Sequence, residues 1–439
     1  MVQEAKKLYK TKPLENWGWA KELRKKYYER VMKAKELGLV LSSGSAHSRI
    51  LGAGLENHIH FGGEPYGASL AQFPELATEC VEATETLGFA RDMCAYMRLY
   101  WGSVALNKSP WGEFPKPEFV IQSQICDSHS KWHQHSSEML GVPFYTTEVP
   151  QFYPAMRPPD KYQIDYVAAQ FSDMVEWIEK TTGRKWNDQL FADALLRLNR
   201  LHVLWAKICE LNQAIPAPLD IKSMFALYWP STSGEINEET ENFYKALLEE
   251  IRDRVKNQIA AVATERARVL HENQPPWYAL WFFREMEKYG CVCIGGGYLF
   301  FLGGSWELYT DEKGKPSMRV EKPIEERLGR PKNREDCMHM LSVLHFGRYR
   351  MITSSDAKRA AAVAIARGWK VDGAILMQNR GCEGLSLGIS ETRVALINEG
   401  FPTMAYEANM ADRREWDEAQ VRDRLEAFME SLGLKRLEP

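Results

Sequence analysis

Apolar positions along this chain follow two alternating patterns. From about residue 60 to 155, and again from 288 to the end, short continuous apolar runs are separated by amphipathic stretches. "FVIQSQ" (119–124), "PFYTTEV" (143–149), "GCVCIGG" (290–296), "VDGAILMQ" (371–378) and "PTMAYEA" (402–408) read as strands buried on both faces. "SDAKRAAAVAIARGW" (355–369), "ETRVALINEG" (391–400) and "DEAQVRDRLEAFMESLG" (417–433) read as the helices between and after them. Strand–helix alternation of this kind predicts parallel, doubly wound sheets. Elsewhere the period is helical. Residues 14–38 form a charged segment ending on Gly38, and 189–213 and 241–270 are long amphipathic runs with "AIPAPLD" (214–220) as a break.

The expected architecture is α/β, with two Rossmann-like (flavodoxin-like) parallel-sheet domains, a helical N-terminal segment and a helical middle region. In numbers, residues 1–60 are the N-terminal helical segment and 61–160 the first α/β domain. Residues 161–287 are the helical region and 288–439 the second α/β domain. The two α/β units repeat one another. "VIQSQIC" leads through a helix to "GVPFYTTEV", as "AILMQNRGC" leads through a helix to "GFPTMAYEA". Cys126 precedes Pro143 by 17 positions and Cys382 precedes Pro402 by 20. Ligands of open α/β sheets bind beyond the carboxyl ends of the strands, which is where both cysteines fall.

Composition narrows the chemistry. A net charge of -3 supplies no basic excess for nucleic acid. No apolar run reaches the length that crosses a bilayer, and "MVQEAKKLYKTK" has no apolar core behind its basic residues, so a cytoplasmic protein is expected. Eight cysteines in 439 residues make no disulfide framework. There is no G-x-x-x-x-G-K-[ST], "GGGYLFFLGG" (295–304) lacks the dinucleotide spacing, and "SGSAHS" (43–48) is no nucleophile elbow.

Metal chemistry is the better lead. "CDSHSKWHQH" places Cys126, His129, His133 and His135 at one helical entrance, and Cys-x2-His-x3-His could hold zinc. The competing reading is a partly exposed helix whose histidines only bond locally. A soft, all-thiolate site fits the repeat better, because iron–sulfur clusters are held by cysteine. Cys126 and Cys382 would come from two facing strand ends, with Cys94, at a helix end in "ARDMCAYMRLYWG", as the best third ligand. Cys80 and Cys209 sit inside helical periodicity and read as packing. Cys291 and Cys293 share one strand face and need no metal, and Cys337 has no evident place.

Together "MCAYMRLYWG", "QICDSHSKWH", "VDGAILMQNRGCEG", "GFPTMAYEANMAD" and "VRDRLEAFMESL" resemble the 2-hydroxyacyl-CoA dehydratase / benzoyl-CoA reductase family from about residue 40 to the end. Within it the chain looks most like the larger core subunit of ATP-dependent class I benzoyl-CoA reductase. The resemblance implies one [4Fe-4S] cluster held between the domains through Cys94, Cys126 and Cys382, and no nucleotide bound by this chain. It implies as partners a related smaller core subunit, ATP-hydrolysing activator subunits with their own [4Fe-4S] cluster, and a ferredoxin. The expected activity is that of an oxidoreductase, dearomatising benzoyl-CoA to cyclohexa-1,5-diene-1-carbonyl-CoA. The alternatives are a 2-hydroxyacyl-CoA dehydratase subunit, a lyase of ketyl-radical mechanism without net reduction, and a non-catalytic electron-relay subunit. The 14 Trp, 18 Tyr and 18 Phe would suit an aromatic acyl-CoA. Protons must reach the substrate, and His58, His60, His129 and His133 are the candidate donors, since histidine titrates near neutrality.

Overall fold

Two four-stranded sheets organise the molecule. The computed structural model describes residues 8–150 and 158–438, with the side chains of 349–353 excepted. The first sheet holds β1 (Val40–Gly44), β2 (His58–Gly62), β3 (Phe119–Ser123) and β4 (Phe144–Thr147) in the order β2-β1-β3-β4. The second holds β5 (Ala267–Glu272), β6 (Cys291–Cys293), β7 (Gly373–Asn379) and β8 (Thr403–Ala408) in the order β8-β7-β5-β6. Every pair in both sheets is parallel. Counted within its own unit, each sheet reads 2-1-3-4, so the repeat seen in sequence is a repeat of topology. In that order the chain reverses direction between strands one and three, which opens a crevice at their carboxyl ends.

Parallel strands need helical crossovers, and those helices bury both sheet faces. β1 and β3 are buried at every position, and β7 at all but Gln378. Ser355–Gly368 can press close against its neighbours because its inner face is alanine, with Ala357, Ala361, Ala362 and Ala364 buried. Gly44 ends β1 with φ +145°, and a Cβ there would stand 1.7 Å from the Ile121 carbonyl oxygen, so only glycine lets β1 and β3 meet at the crevice.

The middle region is helical, as its period predicts. Lys161–Thr182, Asp188–Leu211 and Glu238–Lys256 are its long members, and Asn187 and Asn237 cap the last two through their side chains. Trp205 and Trp369 are buried with their indole N–H groups donating to the Leu299 and Cys209 carbonyls, at 3.0 and 2.9 Å. Truncating such an indole to alanine costs about 3–5 kcal/mol. No helix among the described residues is long and apolar enough to cross a membrane.

The structure corrects two stretches of the sequence reading. Val40–Gly44 and the start of β2, placed above in the N-terminal helical segment 1–60, belong to the first sheet. The run 241–270 is not one helix. Its helix ends at Lys256, and Ala267–Glu272 is a central strand of the second sheet, ahead of the boundary drawn at 288. The polar residues of that strand hid it. Arg268 is buried because the Asn212, Ala214 and Trp369 carbonyls and Glu265 take up its N–H groups. Of the N-terminal stretch read for a leader, residues 1–7 lie outside the described residues, as does 151–157 of the first α/β unit.

Cys80, Cys209, Cys291 and Cys293 are core residues, as their pattern suggests. Cys337 is buried on the helix Arg334–Thr353, which packs against Lys161–Thr182.

Candidate functional site

Three loops bring three thiols to one cavity. Cys126 follows β3 at the N-cap of the helix Asp127–Leu140, and Cys382 follows β7 at the N-cap of the short helix Glu383–Ser386. These are equivalent places in the two units. Cys94 is the N-cap of Ala95–Leu106. All three line a cavity of about 350 Å³. The loops of Cys94 and Cys382 touch as bare backbone. Gly381 has φ +70°, and a Cβ there would lie 2.7 and 2.8 Å from the Asp92 and Met93 carbonyl oxygens. Any larger residue would push the two loops apart.

The thiols are not equivalent electrostatically. Burial pushes the Cys94 thiol well up, and the neighbouring Cys382 and Cys126 push it the same way. Burial likewise raises Cys382 to about 11, with Cys126 adding to the rise and an N–H of Gln274, 3.5 Å from Sγ, opposing it. Cys126 goes the other way. Burial alone would raise it, but the His129 imidazolium, with Nδ1 2.9 Å from Sγ, outweighs burial and lowers it.

His129 is gripped from both sides. Its Nε2 lies 2.7 Å from Oε1 of Glu64, whose other oxygen accepts the Ala46 N–H at 2.8 Å. Burial disfavours charge on the ring, yet Cys126 and Glu64 together raise it to about 10. Burial would also raise Glu64, but His129 holds the carboxyl well below the usual range. Glu64 further gains from its place in the first turn of the helix Gly63–Leu70. The result is a buried line along one cavity wall of a cysteine sulfur inclined to ionise, an imidazolium and a carboxylate.

Of the candidate histidines, the structure brings only His129 to the cavity lining. His58 and His60 sit on β2 and share Ser42, each with a ring nitrogen 2.8 Å from its hydroxyl, and His60 also reaches the Ser45 carbonyl. Burial lowers them to about 3 and about 4, so both are neutral at pH 7. His133 is buried and neutral, stacked on Trp132 with ring centroids 4.7 Å apart. It stands near the site, its ligand atom within 4.8 Å of those of Glu64 and His129. His135, outside the Cys126-x2-His129-x3-His133 pattern, is half-exposed and meets Glu138 at 3.1 Å, away from the cavity lining. What converges on the cavity is a soft donor set of three thiols, of the kind an iron–sulfur cluster takes.

Several site residues escaped the sequence reading. Glu64 meets His129 across 65 positions, and nothing local marks it. Lys358 had a visible signal, as a lysine at i, i+3, i+4 and i+7 spacing with the buried Ala361, Ala362 and Ile365. Its Nζ donates to the Gly384 and Leu387 carbonyls at 2.6 and 2.7 Å and fixes the turn after Cys382. Burial lowers it to about 8 against the opposing pull of Cys382. Tyr96, Phe225, Tyr228, Trp277 and Tyr298 make an aromatic wall, with the Trp277 indole donating to the Tyr96 hydroxyl.

The sequence model of the family "2-hydroxyglutaryl-CoA dehydratase, D-component" matches residues 61–432. The chain is 23% identical to the (R)-phenyllactyl-CoA dehydratase alpha subunit of Clostridium sporogenes, over 81% of this chain and 80% of that one. It is 23% identical to the (R)-2-hydroxyisocaproyl-CoA dehydratase alpha subunit of Clostridioides difficile, covering 80% of each chain. It is also 23% identical to the lactoyl-CoA dehydratase subunit alpha of Anaerotignum propionicum, over 81% of this chain and 82% of that one. These relatives are dehydratases, which are lyases. They overturn the expectation of an oxidoreductase acting as benzoyl-CoA reductase. The chain belongs to the 2-hydroxyglutaryl-CoA dehydratase D-component family.

Proposed function

We propose that this chain is a catalytic subunit of a 2-hydroxyacyl-CoA dehydratase, removing water from a 2-hydroxyacyl thioester. The observation that carries the reading is the meeting of Cys94, Cys126 and Cys382 with the His129–Glu64 pair in one cavity. Removing water across the α and β carbons requires loss of a β-hydrogen that the thioester does not acidify. A [4Fe-4S] cluster on the three thiolates would supply, when bound, low-potential electrons and an open iron acting as Lewis acid on the thioester oxygen.

The chain's own residues account for the rest. The three thiolates bind from both units, so loading the site also ties the units together. Glu64 is held ionised by His129 and, anchored in turn by the Ala46 N–H, fixes the charge and orientation of that ring at the cavity wall. His129 is held protonated with both ring nitrogens engaged, so it sets a fixed positive charge beside the Cys126 sulfur. The aromatic wall excludes water from the reacting carbons. Relatives named as alpha subunits support a second, related subunit. An ATP-hydrolysing activator with its own cluster, fed by a ferredoxin, would supply the electrons, since this sequence has no P-loop.

The test is an anaerobic assay of water loss from (R)-2-hydroxyacyl-CoA esters with the partner subunit, activator, ATP and reductant. Glu64→Gln should lower turnover by about 10²-fold or more with iron content unchanged. Full activity in Glu64→Gln would remove the role of the His129–Glu64 pair, and no water loss from any such ester by the wild-type complex would refute the reading.

A further inference from the structure

The cavity has a basic rim that the chemistry above does not use. The helix Trp17–Met32 turns Trp17, Ala20, Lys21 and Arg24 toward the cavity, at i, i+3, i+4 and i+7 spacing. The helix Ile221–Leu227 packs beside it and adds Lys222. Lys21 is exposed and Arg24 and Lys222 are half-exposed, so the three mark the solvent side of the cavity.

None of the three makes an ion pair among the described residues. Arg24 donates to the Ser69 hydroxyl at 2.7 Å and lies over the Trp229 ring, while Lys21 lies over Trp17. Lys222 acts on Glu287 only through space. The outward cations of the same helix behave differently. Lys26 meets Glu239 at 2.8 Å, Arg30 meets Glu235 at 2.9 Å and Lys25 meets Glu29 at 3.8 Å. The carboxylates in the cavity lining are Glu64, committed to His129, and Glu383, beside Cys382. Three cations at the mouth of a largely apolar cavity, with no carboxylate among them, present a site for a polyanion with an apolar arm.

We propose that Lys21, Arg24 and Lys222 bind the phosphate groups of the coenzyme A moiety of the substrate, so that this chain itself holds the thioester whose acyl end lies beside the cysteines. The inference rests on the acyl-CoA reading above and adds where the ester is held. Charge-assisted contacts to phosphate supply the affinity, and the apolar wall receives the thioester arm.

Binding rather than turnover tests it. Calorimetric titration of the anaerobic complex with an acyl-CoA lacking the 2-hydroxyl should give a Kd that rises roughly tenfold or more in K21Q/R24Q/K222Q. The difference should collapse at about 1 M salt, where the Debye length is about 3 Å. K21Q alone, altering an exposed side chain, serves if the triple variant melts early, and should weaken binding by about threefold. Three results would overturn the proposal: no binding by the wild type, wild-type affinity in both variants, or ADP binding as tightly as the acyl-CoA, which would mark a general nucleotide site. Because no water loss is read, a failure of the dehydratase reading leaves this outcome intact.

Discussion

Arg98 Nη1 lies 3.1 Å from Asp412 Oδ2, and both side chains are essentially removed from solvent. The contact joins the helix that starts at Cys94 to the segment just after β8, and so fixes the Cys94 loop against the unit that carries Cys382. Arg98 Nε also donates to the Met93 carbonyl at 3.2 Å, beside the bare contact made by Gly381. Asp412→Ala would leave the buried guanidinium with the half-exposed Glu85, at 3.3 Å, as its one remaining carboxylate among the described residues, and would also take Asp412 from Arg414. The expected loss is about 3 kcal/mol in urea unfolding. A loss below about 1 kcal/mol would show that this pair does not hold the units together.

Glu272, at the end of β5, gives the fold a pH dependence. Burial pushes its carboxyl from the ordinary 4.5 up to about 7, against the Gly297 N–H at 3.0 Å and the charge of Lys358. Between those two values the folded chain keeps a proton that the unfolded chain has lost. The contribution of Glu272 to stability therefore falls as pH rises from 4.5 to 7, by up to roughly 3 kcal/mol. Glu272→Gln, which can still accept the Gly297 N–H, should flatten that fall when unfolding is compared at pH 5 and pH 8. Parallel curves for the variant and the wild type would contradict the assignment.

The thiols should also differ in the metal-free protein. With His129 beside it, Cys126 is ionised more readily than Cys94 or Cys382. Brief iodoacetamide treatment at pH 7, read by mass spectrometry, should label Cys126 first, because the thiolate is the nucleophile. His129→Gln should erase the preference. Equal labelling of the three in the wild type would count against the thiolate–imidazolium pair.

The sequence was informative where one physical pattern dominated. The apolar run of β7 and the thiol just past it identify Cys382, and the same pattern at β3 identifies Cys126. Two strands broke that pattern. β1 is short and carries Ser42 and Ser43, whose hydroxyls are satisfied in the fold by His58, His60, the Phe61 carbonyl and Tyr100. β5 carries Arg268 and His271 among its apolar residues, so its period reads as a continued helix. The His129–Glu64 pair was half legible: the histidine stands three positions from Cys126, whereas Glu64 reaches it only through the packing of two distant segments. His58 and His60, read as candidate proton donors, lie buried on β2 around Ser42, a placement that no local signal predicts. The substrate chemistry was misjudged because thiol motifs report a donor set and not whether the reaction ends in net reduction.

The most direct test of the central claim is the iron and acid-labile sulfide content of the chain purified with air excluded. The wild type should carry about four of each. Replacing Cys94, Cys126 or Cys382 with Ala should remove both, whereas Cys209→Ala, in the buried core, should keep them and cost stability alone. A full complement of iron and sulfide in Cys126→Ala or Cys382→Ala would contradict the account.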